Sequence, residues 1–219
     1  GISTEQKEAH SEQKLNLNWG GLRADVIPKQ PTFELQEAEP FRVTPQRPLQ
    51  SHITGFSKIK MVMYVQRVDF IVDLFDTYGI EQAEIIVGDS VVTKNRSSTE
   101  PEVFLRLAQL IDEGRLSVRV PKNKRTFHEK WILAETENKF ADIFGTANLT
   151  SRGSGISGKQ SNQVRVQTIT GDFANSPRYK LLNEHYEWYH NNSELYLDEL
   201  VELLKKDDAP QIEVVERWV

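Results

Sequence analysis

Phe127-His128-Glu129-Lys130-Trp131-Ile132-Leu133-Ala134-Glu135 is followed, past a polar turn at Glu137-Asn138, by Phe144-Gly145-Thr146-Ala147-Asn148-Leu149-Thr150. Phe127–Thr136 and Lys139–Gly145 read as two adjacent strands, an antiparallel hairpin. Strand alternation puts His128, Lys130 and Ile132 on one face. A histidine and a lysine pointing the same way need a reason, because a buried ammonium is costly without an anionic partner. Gly145 permits a sharp exit from the return strand. Asn148 then has room to reach back toward the His/Lys pair.

Outward from the hairpin, the preceding sequence alternates between strand and helix patterns. Lys58–Val65 reads as a strand. Val68, Phe70, Ile71, Leu74, Phe75 and Tyr78 fall at three- and four-residue spacing, the apolar stripe of a helix that Gly79 can end. Ala83–Val87 is a second short strand closed by Gly88-Asp89, followed by a polar loop with Lys94, Asn95 and Arg96. Thr99 and Glu102 form a capping box for a helix that points Val103, Phe104, Leu107, Leu110 and Ile111 inward. Gly114 stops it, and Leu116–Val120 is a third strand. This order favours parallel strand pairs covered by helices. Beyond the hairpin, Gln163–Thr170 reads as a strand, Lys180–Tyr196 and Leu197–Lys206 as helices, and Ile212–Val215 as a last strand. The expected class is α/β, a mixed central sheet with helices on both faces.

Residues 1–50 differ in character. They hold five prolines and many Gln and Glu, which excludes long helices and central strands. They are read as an extended Pro-rich N-terminal arm with one or two short edge strands, tacked down by Trp19, Phe33 and Phe41. Residues 51–219 are read as the main domain, the one that carries the hairpin. The 219-residue chain is 38% hydrophobic and carries a formal charge of −5, so polyanion binding requires a local basic patch rather than bulk charge. It has no cysteine, which excludes disulfides and thiolate metal sites. No apolar run is long enough to span a bilayer, and the N-terminus lacks a secretory core; a cytoplasmic protein is expected. The abrupt end at Glu216-Arg-Trp-Val219 suggests a piece of something longer.

The hairpin motif resembles the signature of the phospholipase D superfamily: His-x-Lys, four residues, an acid, then Gly-Ser-x-Asn. His128 and Lys130 fit it, Glu135 takes the acid position where Asp is usual, and Gly145-Thr146-Ala147-Asn148 fits with Thr for Ser. The spacing between acid and glycine is three residues longer than the commonest form, which a longer hairpin tip absorbs. The resemblance implies a phosphodiesterase that needs no metal or other cofactor. One histidine attacks phosphorus and forms a phosphohistidine. A second protonates the leaving oxygen and later activates water. Lys130 and Asn148 would hold the non-bridging oxygens, and Thr146 would add a hydroxyl donor. Glu135 would orient a histidine or Lys130, or pair with a cation elsewhere, with Asp142 as the rival acid.

The chain has one such motif. Its other histidines, His10, His52, His185 and His190, are not followed two residues later by Lys. A one-motif member must borrow its second histidine, so a two-fold homodimer is expected. Lys122, Lys124 and Arg125 lead into the motif, and Arg152 and Lys159 follow it in a Gly-rich loop. Such cations suit a phosphate backbone, so nucleic acid is the expected substrate, DNA ahead of RNA. The alternatives are phospholipid cleavage or phosphatidyl transfer, and a catalytically weak nucleic-acid-binding module. One-motif nucleases of this superfamily also occur as halves of restriction enzymes or fused to helicase modules, and such an associated module is an implied partner. No membrane partner is expected.

Overall fold

The computed structural model describes residues 32–88 and 101–196. Trp19, the Lys94–Arg96 loop, Thr99 of the capping box, the helix expected at Leu197–Lys206 and the strand expected at Ile212–Val215 lie outside the described residues. In chain order the elements are β1 (Phe33–Leu35), β2 (Glu39–Val43), β3 (Lys58–Met63), α1 (Val68–Asp76), β4 (Gln82–Val87) and α2 (Pro101–Asp112). They continue with β5 (Leu116–Pro121), β6 (Lys130–Thr136), β7 (Lys139–Gly145), β8 (Asn162–Gly171), α3 (Pro177–Asn191) and β9 (Ser193–Leu195).

All the strands join one mixed sheet in the order β1-β8-β7-β6-β3-β4-β5-β9, with β2 also on β8. β3, β4 and β5 run parallel, as the strand–helix alternation requires. β6 lies antiparallel against β3 and begins the β6–β7–β8 meander. Apolar side chains leave the second halves of the central strands on both faces, which is why Met61–Met63 and Ile85–Val87 are continuously apolar. Met61, Met63, Ile85, Val87 and Ile132 join the core beneath α1 and α2. Val62, Ile86, Trp131 and Leu133 join a second core with Tyr186 and Tyr189 of α3. Helices therefore cover both faces.

The end of α1 shows how a glycine places the next strand. Gly79 has φ +75°. Its amide donates to Phe75, the bond of an αL cap, and that of Ile80 donates to Leu74. In the proline-rich stretch, β1 and β2 both pair antiparallel with β8, with Pro40 tolerated on an edge strand. Phe41 packs against the first core and Phe33 against the second.

Two boundaries differ from the sequence expectation. The hairpin strand begins at Lys130 rather than Phe127, so His128 precedes the ladder. The last described helix runs Pro177–Asn191 rather than to Tyr196, and Ser193–Leu195 pairs with β5. Arg119 of β5 explains the second case. Its guanidinium donates to the carbonyls of His190 and Ser193 and to the Ser193 hydroxyl. A cation at a helix C-terminus satisfies orphan carbonyls, and here it also fixes the chain at the sheet edge.

Candidate active site

The segment before β6 crosses the carboxyl ends of two parallel strands. The Phe127 amide donates to Gly88 at the end of β4 (3.2 Å), and the Tyr64 amide beyond β3 donates to Glu129 (3.0 Å). A Cβ on Gly88 would lie 2.0 Å from the Phe127 carbonyl oxygen and 2.5 Å from Tyr64 Cα, so only glycine allows this crossing. His128 is exposed between the two anchor points, its ring stacked on Tyr64 at 4.3 Å. Lys130 is half-buried. Its Nζ donates to the His128 carbonyl at 2.9 Å and lies 5.2 Å from the Tyr64 ring centroid.

Asn148 meets the same segment from the other side. Its Oδ1 accepts from the Val65 amide at 3.1 Å, which turns its Nδ2 donors toward other acceptors. Leu149 and Val65 are joined through the Leu149 amide (3.1 Å), and Arg67 donates back to Leu149 (2.9 Å). His128, Lys130 and Asn148 are thus tied to two successive residues, Tyr64 and Val65. Thr146 is exposed, and its hydroxyl oxygen accepts from the Gln163 amide at 3.2 Å, leaving its proton to donate. In open α/β sheets ligands bind outside the carboxyl ends of the parallel strands, and the cluster sits there.

The structure does not bring Glu135 to this cluster. It stands five residues along β6 from Lys130, about 17 Å at strand rise, and alternation places it with Trp131 and Leu133 on the α3 face. Its carboxylate accepts from the Tyr179 hydroxyl at 3.2 Å. Asp142 is also on the α3 side, buried and paired with Arg178 through two bonds of 2.9 and 3.1 Å. Burial pushes the Asp142 carboxyl up, and Arg178 opposes that shift. Both acids belong to the seat of α3, together with Glu84, which accepts from Tyr186 (2.6 Å) and meets His190 Nδ1 (2.8 Å). Of the two histidines of this helix, His190 is half-buried and His185 is exposed, its ring 5.5 Å from that of Trp131.

The basic residues divide into two groups. Lys122 and Arg125 are held by the end of α3: Lys122 Nζ donates to the Asn191 carbonyl (3.1 Å) and Arg125 to Asn192 Oδ1 (2.9 Å). Lys124 is exposed on a turn with φ +56°. Arg152 and Lys159 instead line a depression with Arg67, Thr150, Ser151 and Ser157, immediately after Asn148. The sequence reading gave Arg67, Tyr64, Val65 and Gly88 no part in the site. Their only sequence signal is position: each follows a parallel strand, where such sheets place ligands. Among the described residues no group of three or more His, Asp or Glu is placed to hold a metal.

No family model and no curated protein matches the sequence. Solved structures align with the chain at low sequence identity. The phosphatidylserine synthase of Haemophilus influenzae aligns over 84% of this chain at 16% identity with a TM-score of 0.49. A histidine-to-asparagine mutant of yeast tyrosyl-DNA phosphodiesterase aligns over 82% at 14% identity with a TM-score of 0.46. The chain spans 45% and 41% of those two structures.

Proposed function

We propose that this chain carries one half of a metal-independent phosphodiesterase site and cuts nucleic acid, DNA in the first place, as a homodimer. The observation that carries the reading is the joint anchoring of His128, Lys130 and Asn148 to Tyr64-Val65 at the carboxyl ends of β3 and β4. A nucleophile is exposed there beside donors suited to phosphoryl oxygens. The His128 imidazole attacks phosphorus as the bond to the leaving oxygen breaks. His128 of the partner subunit supplies the proton to that oxygen, then takes one from the water that cleaves the phosphohistidine. Lys130 and the Asn148 amide hold the non-bridging oxygens throughout. The cations beyond Asn148 favour a backbone of phosphates over a single lipid headgroup.

Incubation with single- and double-stranded DNA in EDTA tests this. Cleavage that disappears in His128→Ala is the expected result. Binding without cleavage would leave only a recognition module. Choline release from phosphatidylcholine with intact DNA would move the substrate to lipid.

A further inference from the structure

The loop after Asn148 is folded back tightly. Gly153 donates to the Thr150 hydroxyl (2.9 Å), and Ser154 donates to the Thr150 carbonyl through its amide (2.9 Å) and hydroxyl (2.6 Å). Ser157 reaches back to the Ser151 carbonyl (2.9 Å), and the Ser154 carbonyl accepts from Leu49. A Cβ on Gly153 would approach Asn148 N, O and Cβ at 2.8 Å, so this loop and the catalytic asparagine are one packed unit. Arg152 and Lys159 are exposed on it. Among the described residues neither is within ion-pairing distance of a carboxylate.

Arg67 enters from the other side of the same junction. Its Nε and Nη2 are committed to Asp69, both at 3.0 Å, which fixes the guanidinium plane and leaves Nη1 for a ligand. Three cations and the hydroxyls of Thr150, Ser151 and Ser157 line a depression of about 330 Å³. Lys159 also lines a neighbouring depression of about 330 Å³ with Arg42, Thr44, Gln160 and Ser161. Thr150 stands two residues from Asn148, about 7 Å of extended chain.

We infer that Arg67, Arg152 and Lys159 form a second phosphate subsite, holding the phosphodiester next to the one being cleaved, and that Arg42 extends it into a track along a polynucleotide strand. The inference rests on the nuclease reading above. Hydroxyl donors among guanidinium and ammonium groups match non-bridging phosphate oxygens. A lipid headgroup with one phosphate would leave the second depression without a ligand.

The test compares a single-stranded oligothymidylate with bis(p-nitrophenyl) phosphate, which has one phosphate. In Arg152→Ala/Lys159→Ala the ratio of kcat/KM for oligonucleotide over small diester falls about tenfold or more, through KM. The slope of log K against log salt for oligothymidylate falls by about 1.4, at about 0.7 per phosphate contact on a single strand. Arg42→Gln, exposed on an edge strand and without structural risk, lowers the slope by about 0.7. Ratio and slope equal to those of the unsubstituted protein would overturn the subsite while leaving the nuclease reading standing. Hydrolysis of the small diester with neither binding nor cleavage of the oligonucleotide by the unsubstituted protein would overturn the nuclease reading, and the track with it.

Discussion

At the scale of single residues, the candidate site separates groups that face a substrate from groups that hold the helix behind it. His128→Ala should abolish turnover. Lys130→Ala and Asn148→Ala should each lower kcat by about 10²–10³-fold, the size expected when one donor to a developing oxyanion is lost. Single-turnover rates with the small diester check both. Glu135→Gln should instead act on stability, because its carboxylate meets Tyr179 on the α3 face. His52 makes a different prediction. Burial, and then the nearby Arg47 cation, hold its pKa down at about 4 against 6.5. Between those values the unfolded chain binds a proton that the native state refuses, so stability falls as pH drops through that window. His52→Phe should remove this component. Its Tm should decline less than that of the unsubstituted protein between pH 6.5 and 4.

At the scale of elements, two close approaches position the chemistry. Gly153→Ala forces a Cβ into Asn148 while leaving the sheet ladder intact. Misplacement by about 1 Å can cost about 10²-fold in rate, so kcat should drop with little change in urea midpoint. The seat of α3 is polar as well as aromatic. Tyr179, Tyr186 and Tyr189 each donate to a glutamate, Glu135, Glu84 and Glu129. Burial, and then the carboxylate partner, push the Tyr186 hydroxyl far up, so it remains a donor at every working pH. Tyr186→Phe should cost about 1.5–3 kcal/mol in urea unfolding, the range for a bond to a charged group. Glu129 also receives Tyr64 through its carbonyl, so α3 braces the segment that presents His128.

At the scale of the whole molecule, the proposed one-histidine site would depend on assembly. Mixing equal amounts of the unsubstituted protein and His128→Ala, followed by subunit exchange, gives a direct readout. Random pairing leaves about one quarter of the dimers with two histidines, so activity should fall to about one quarter of that of the same total of unsubstituted protein. A value of one half would mean that each protomer acts alone. Sedimentation of the mixture confirms that exchange occurred.

The sequence by itself determined the alternation of β3, α1, β4, α2 and β5, and the hairpin that follows, because buried strands and amphipathic helices leave periodic apolar patterns. It also singled out His128, Lys130 and Asn148, whose residue types and spacing carry the chemical signal. The strand boundary near His128 and the end of α3 were not legible, since both depend on partners far away in the chain: Gly88 and Tyr64 in one case, Arg119 in the other. Only the tertiary structure decided which charged residues share a site. It sent Glu135 and Asp142 to α3, gave Lys122 and Arg125 to the end of that helix, and set Arg67 beside Arg152 and Lys159. Periodicity records which face a residue occupies, whereas the partner across the sheet is fixed by strand order and loop closure, and neither leaves a local trace.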